Sequence, residues 1–345
     1  MESMTGASYR ARIDARRACV RGERGMKIVV GIDFSQDAKA AVRCVATLRF
    51  PAGSELYLVH VIRGIEEIQA LVGAGDFERA IRTVRERLME RLRRRLSRIA
   101  DACFRSDMTQ HILLKEGNPR EELLSVVEQE GADLVVCGSR GVTGLQRFLL
   151  GSVSERVLRE APCSVLIVRG QARRAKRTSS EGLRILLATD GSPDAQEAVR
   201  FLSQLGFPPK SEVTLFHVME PKDYTVVQDD YRTLSLDAAA GIDWKRVSEE
   251  IRQRVEAARV SLLTETQHRL HGGFVTIEKM SVGYAAEEIL RAADRFRPDL
   301  IVMGSRGHTG LTRTLLGSVS DRVARHAPCS VLVVRKAVKI QKVNV

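Results

Sequence analysis

"GSRGVTGLQRFLLGS" (residues 138–152) and "GSRGHTGLTRTLLGS" (residues 304–318) stand 166 residues apart in one chain of 345. Every glycine and both serines of the stretch keep their places while the side chains between them change. Glycine allows conformations and close approaches that a Cβ forbids, so a pattern that keeps its glycines specifies a backbone shape.

Outward from this stretch the whole chain repeats. "KEGNPREELLSVVEQEGADLVVCGSRG" is answered by "SVGYAAEEILRAADRFRPDLIVMGSRG", "ELYLVHVI" by "EVTLFHVM", and "MKIVVGIDFSQDAKAAVRCVATL" by "LRILLATDGSPDAQEAVRFLSQL". Asp33 and Asp190 are offset by 157, as are His60 and His217, whereas Gly117 and Gly283 are offset by 166. The second copy has therefore gained nine residues between His217 and Gly283, and the unmatched stretch "KDYTVVQDDYRTLSLDAAAGIDWKR" is where they are expected. The length suits two domains. The expected division is a disordered extension over 1–25, a domain over 26–170, a basic linker over 171–182, a second domain over 183–336 and a tail over 337–345.

The extension is arginine-rich and lacks the apolar stretch of a secretory signal, with Met26 as an alternative initiator. No run approaches the length of apolar residues that a membrane span needs. The six cysteines form no CxxC pair and no zinc spacing, which fits reduced thiols in a cytoplasmic protein. A net charge of +12 raises the question of a polyanionic partner. Much of that charge lies in the extension, in the linker "GQARRAKRTSSEG" and along "DFERAIRTVRERLMERLRRRLSRIA". In the last, Phe77, Ile81, Val84, Leu88, Leu92, Leu96 and Ile99 recur at steps of three and four, giving one helix with an apolar stripe and a wet arginine face. Specific nucleic-acid binding is not expected from such a distribution.

Each half alternates short β-branched runs (IVVGID, LYLVHVI, HILLKE, LVVCGS, SVLIV) with helical patterns. Continuous apolar runs suit strands buried on both faces, and their alternation with helices makes parallel βαβ crossovers. The fold class is α/β, as two tandem doubly wound domains, each a five-stranded parallel sheet flanked by helices. Ligands in such sheets bind beyond the carboxyl ends of the strands. There, Asp33 and Asp190 end the first strand of each half. Ser35 and Ser192 follow as helix N-caps, the second with Pro193 at the first helical position. Strand four runs into Gly138-Ser-Arg140-Gly141 or Gly304-Ser-Arg306-Gly307, and Gly151-Ser152 or Gly317-Ser318 opens the final helix. Ser152 with Glu155, and Ser318 with Asp321, fit a capping box. The glycines there admit positive φ and let N–H groups approach an anion without Cβ interference, which the helix N-terminus also favours; a polyphosphate would fit between the two glycine sites.

G-x2-G-x9-G-S, after a D-x-S strand end and before a P-C-S-V-L-x-V strand, resembles the ATP-binding motif of the universal stress protein family. The resemblance covers nearly all of 26–170 and again 183–336. It implies a strand order of 3-2-1-4-5 and an adenine nucleotide at the strand ends, ATP with or without Mg2+. Carried over, Gly138, Arg140, Gly141, Gly151, Ser152 and Val153 would hold phosphates and ribose in the first half, and Gly304, Arg306, Gly307, Gly317, Ser318 and Val319 in the second. Asp33 and Asp190 fall where the family holds ribose and base, and Val61 and Val218 where the second strand meets adenine. The resemblance also implies that the edges "SVLIV" and "SVLVV" pair across a pseudo-twofold axis within the chain, with homodimerisation a further option.

Local readings stand beside these. Ser152 and Ser318 could serve only as caps, and Asp33 and Asp190 only as turn-makers. His60 and His217 read as satisfied core histidines, Cys163 and Cys329 as packing residues, and His268 with His271 as too few for a metal. The sequence has no GxxxxGK[ST], GxGxxG or nucleophile elbow. The expectation is a nucleotide-dependent stress-response regulator rather than an enzyme, slow ATP hydrolysis being left open. The rival is an RNA-binding module using G-S-R-G as a GxxG clamp, against which stands the strand–GxxG–helix order in a parallel sheet.

Overall fold

The computed structural model describes residues 24–63, 76–104, 108–141, 150–170, 182–220, 244–270, 274–308 and 316–336. The expectations for the extension before Arg24, for nearly all of the linker and for the tail lie outside the described residues. The first half contains β1 (Lys27–Gly31), α1 (Gln36–Thr47), β2 (Glu55–Ile62), α2 (Asp76–Cys103), β3 (Thr109–Glu116), α3 (Pro119–Glu130), β4 (Leu134–Gly138), α4 (Ser152–Glu160) and β5 (Ser164–Val168). The second contains β6 (Arg184–Ala188), α5 (Pro193–Gln204), β7 (Glu212–Met219), α6 (Trp244–Arg269), β8 (Val275–Val282), α7 (Ala285–Phe296), β9 (Leu300–Gly304), α8 (Ser318–His326) and β10 (Ser330–Val334). The offset between halves is 157 up to β7 and 166 from the end of α6, which brackets the additional residues between Met219 and Arg269. No helix among the described residues is long and apolar enough to cross a membrane.

Each half has parallel strands in the order 3-2-1-4-5, and the ten strands form one continuous sheet, β3-β2-β1-β4-β5-β10-β9-β6-β7-β8. Side chains alternate across it, as the pleat requires. Ile28, Val30, Leu56 and Leu58 join Val42 and Leu96 of α1 and α2 in one core layer. Val29, Tyr57 and Val59 join Val126 and Val157 of α3 and α4 in the other. Both layers run on into the second half.

The helix ends follow local chemistry. Ser35 Oγ accepts from Ala38 N at 3.1 Å, and Ser192 Oγ from Ala195 N at 3.2 Å. Asn118 caps α3 ahead of Pro119, and α3 ends on Gly131 at φ 63°. The stripe expected along α2 is buried only toward its C-terminus: Leu96 is inaccessible, while Val84 is 66% exposed. A helix of 28 residues is about 42 Å long at 1.5 Å per residue. It is longer than any of the strands, the longest of which have eight residues.

The two halves meet where β5 and β10 pair antiparallel, with Leu166 opposite Leu332. A second contact is reciprocal: Arg49 N donates to Gly206 O at 2.8 Å and Gly206 N to Arg49 O at 2.7 Å. Arginines just past the paired strands cross the joint. Arg169 Nη2 donates to the carbonyls of Ala324 and Arg325 at 2.8 and 2.7 Å. Arg335 donates to Ala161 O, and to Leu158 O at 2.6 Å. Each half thus satisfies the open C-terminal carbonyls of the other half's last helix, where a cation is also favoured by the helix dipole. Burial pulls the pKa of both guanidiniums down. Leu332 is 1% exposed, so Leu332→Asp is expected to cost roughly 3 kcal/mol. That corresponds to a melting temperature about 6–12 °C lower, with an expanded envelope in small-angle scattering. Unchanged melting and size would show that this joint does not hold the halves together.

Candidate functional site

A cleft opens at the carboxyl ends of β1, β2 and β4, with a volume of about 380 Å³. Its counterpart at the ends of β6, β7 and β9 measures about 520 Å³. The first is lined by Asp33, Val61, Gly138, Arg140, Gly141, Gly151, Ser152 and Val153. The second is lined by Asp190, Val218, Gly304, Arg306, Gly307, Gly317, Ser318 and Val319. The residues that the resemblance carried over as nucleotide-binding therefore line one or other of the two clefts.

The turn after β1 is built by Asp33, whose Oδ1 accepts from Ser35 N at 2.9 Å. Asp190 does the same with Ser192 N at 3.0 Å. The bend needs positive φ at the next residue, supplied by Phe34 (62°) in one half and Gly191 (79°) in the other. Phe34 is held there by packing, its ring 4.8 Å from His60 and under the Arg95 guanidinium at 3.9 Å. Asp33 still turns its Oδ2 toward Gly141, where an added Cβ would lie 3.0 Å away; for Gly307 and Asp190 the distance is 2.7 Å. Turn-making and cleft-facing roles thus fall to different oxygens of one carboxylate.

Positive φ, which the cradle glycines admit, is not what they use; the described glycines that take it are Gly53, Gly117, Gly131, Gly191 and Gly283. Gly138 is required by contact instead. A Cβ there would lie 2.7 Å from the carbonyl carbon of Asp37, and at Gly304 one would lie 2.6 Å from that of Asp194. The start of α1 or α5 rests directly on the end of β4 or β9.

The capping boxes at Ser152 and Ser318 are not formed. The N-caps are Gly151 and Gly317, in extended conformation and with no side-chain cap. Ser154, inside the first turn, bonds Ser139 O at 3.0 Å and Gly151 O at 2.8 Å; Ser320 repeats this with Ser305 O and Gly317 O. Glu155, the expected partner of Ser152, instead accepts from Arg325 across the joint at 2.8 Å. The first-turn N–H groups of α4 and α8, which have no intrahelical partner, are left to the cleft, and Ser152 and Ser318 stand on its wall.

Two residues that sequence reasoning passed over hold the segment just after β4 and β9. Asp37, 4% exposed, accepts from Ser139 Oγ at 2.6 Å, Arg140 Nε at 3.2 Å and Gly170 N at 3.0 Å. Asp194 accepts from Ser305 Oγ at 2.7 Å and Arg306 Nε at 2.9 Å. The available signal was their recurrence at the same offset as Asp33 and Asp190. His60 Nδ1 donates to Ile32 O at 2.6 Å and His217 Nδ1 to Thr189 O at 2.8 Å, so both are satisfied. His268 lies on α6, and His271 lies outside the described residues. Cys163 and Cys329 are buried as expected of packing residues. Burial pushes the thiols of Cys137, Cys163 and Cys329 up to about 12, which leaves Cys137, on the cleft wall, without nucleophilic character.

The sequence profile of the Universal stress protein family matches residues 26–169 and 183–335. A universal stress protein of Mycolicibacterium smegmatis is 26% identical over 319 residues, covering 89% of this chain and 96% of its own length. One from Methanocaldococcus jannaschii is 32% identical over 143 residues, covering 41% of this chain and 81% of itself. Among solved structures, a universal stress protein from Archaeoglobus fulgidus has the same fold with a TM-score of 0.53. It is 21% identical, and the match covers 90% of this chain and 98% of that one.

Asp37→Asn keeps the shape but removes the charge that Arg140 faces. The expected cost is about 2–3 kcal/mol, read as a lower urea midpoint; an unchanged midpoint would remove Asp37 from its structural role. The thiols carry a pH dependence. Their folded pKa lies above the unfolded value, so their contribution is complete below about pH 9 and is lost as pH rises toward 12. Each loses up to about 1.4 kcal/mol per pH unit. Replacing all three with alanine should flatten the decline between pH 9 and 11; an identical slope would refute this.

Proposed function

This chain belongs to the universal stress protein family, and we propose that it is a two-site receptor for adenine nucleotide, ATP first, serving a stress response. The observation that carries the reading is the glycine-capped start of α4 and α8, open on the cleft without a side-chain cap. First-turn N–H groups together with the positive end of the helix dipole favour a phosphate there. Bare backbone beside the carboxylates supports close approach: at Gly141 and Gly307 a Cβ would meet the Oδ2 of Asp33 and Asp190.

In this reading the N–H groups of Ser152 and Val153, with their counterparts at Ser318 and Val319, hold phosphate oxygens, and the serine hydroxyls add donors. Asp33 and Asp190 accept from ribose hydroxyls, or face Mg2+ where it accompanies the phosphates. Val61 and Val218, packed on the core layer beneath, support the base. Arg140 and Arg306 act indirectly, since buried carboxylates hold their side chains. That same tethering disfavours an RNA clamp, which would present its arginines outward. The protein works in the cytoplasm as a binding protein, with the joined halves acting as an internal dimer and ATP as regulator rather than substrate.

Mass spectrometry of gently purified protein is expected to find bound adenine nucleotide. In isothermal titration with ATP, Gly141→Val and Gly307→Val should each reduce the stoichiometry from two to one. Two sites persisting in either variant would contradict the assignment of the clefts.

A further inference from the structure

We infer that the two clefts are coupled through one shared guanidinium, that of Arg325, so that a nucleotide in either cleft weakens binding in the other. The inference rests on the nucleotide reading of both clefts and adds the relation between them.

Each helix that opens on a cleft carries an acid in its first turn and an arginine in its last: Glu155 and Arg159 in α4, Asp321 and Arg325 in α8. These positions correspond in the repeat, 166 residues apart. Strict twofold symmetry would give both arginines the same pair of acids, but the contacts are not shared evenly. Arg325 Nη2 donates to Glu155 Oε1 at 2.8 Å, and its Nε donates to Asp321 Oδ2 at 2.9 Å. Arg159 Nε stands 3.7 Å from Asp321 Oδ1. That oxygen is buried and accepts no hydrogen bond. One guanidinium therefore serves the first-turn acids of both helices.

The main chain on either side of it is tied. Arg325 O accepts from Arg169 Nη2 at 2.7 Å, and Leu158 O on α4 accepts from Arg335 at 2.6 Å. With both helix ends held, the head of the Arg325 side chain is what responds to a new charge. A phosphate on the first turn of α4 adds negative charge beside Glu155 and draws the guanidinium toward that acid. Asp321 is then left to Arg159, whose side chain is exposed and farther away. Less compensated, Asp321 repels a phosphate arriving at the first turn of α8. Linkage makes the effect reciprocal: a nucleotide on α8 draws Arg325 to Asp321 and leaves Glu155 uncompensated. Both acids are partly exposed, so solvent and salt keep the coupling small.

The test is isothermal titration of the full chain with ATP at low salt. Gly307→Val leaves the first cleft and Gly141→Val the second, each giving the affinity of one cleft while the other is empty. For independent clefts, the two stepwise association constants of the unsubstituted chain multiply to the product of these single-cleft values. The measured product is expected to be smaller by about fivefold, at the low end of allosteric couplings. Arg325→Gln, made in all three backgrounds, should close this gap because no cation is then shared. Glu155→Gln should narrow it while tightening the first cleft, which loses a neighbouring negative charge. Arg159→Gln removes the second partner of Asp321 and should widen it. A merely structural role for these pairs would lower the melting temperature of the variants and leave the gap where it was. Equal products in the unsubstituted chain, a product larger than that of the single clefts, or a gap that either Arg325→Gln or Glu155→Gln leaves in place would overturn the inference. Absence of ATP binding by the unsubstituted chain would instead overturn the nucleotide reading, and this inference with it.

Discussion

A carboxylate withdrawn from water keeps its charge only where donors surround it. Asp37 meets that condition with partners from separate parts of the chain: Ser139 and Arg140 after β4, and Gly170 after β5. Its own position in the first turn of α1 adds the favourable end of a helix dipole. One buried side chain thereby fixes the mutual position of a helix start, a glycine loop and the exit of the strand at the joint. Gly138 completes the arrangement, since any side chain there would push α1 off the strand end. The shape of the cleft is a consequence of this attachment. A chain segment that is free at the cleft would have to be ordered when a ligand arrived, at a cost in conformational entropy; here Ser139 and Arg140, at the exit of β4, are already held.

The same segment leads to the interface. Gly170, bound to Asp37, follows Arg169, which reaches the last helix of the other half. Helix α4 presents its N-terminus to the cleft and its C-terminal carbonyls to Arg335 of the other half. With nine residues it spans about 14 Å, so the cleft and the joint lie at opposite ends of one short rigid element. A cation at one end and an anion at the other both suit its dipole.

Much of this was legible in the sequence. The β-branched runs and Ser35 and Ser192 as caps follow from patterns that depend on near neighbours, and the cleft-lining residues were carried over from the family resemblance. What was not legible depends on distant ones. Asp37 resembles any acid in a first helical turn until β4 and β5 bring their donors to it. Ser152 and Glu155 have the spacing of a capping box, but Ser154 reaches the carbonyls of Ser139 and Gly151, and Arg325 from the other half takes Glu155. The period of α2 continues through Val84 whether or not a strand lies beneath it. Arg169 and Arg335 read as the polar ends of apolar strands, because the carbonyls they satisfy belong to the opposite half.

The antiparallel pairing of β5 with β10 has a consequence for how such a protein can change. Two separate subunits meeting at these strands would dissociate on dilution. Halves on one chain face each other at an effective concentration on the order of millimolar, whatever the cellular abundance. Identical subunits must also carry every substitution twice, once on each side of the axis. In this chain the matching falls on contacts between the halves, among them Leu166 opposite Leu332, Arg49 with Gly206, Glu155 with Arg325 and the crossing arginines. Away from the joint each half can accept substitutions that the other never receives, so the shared architecture persists while its two ends drift independently.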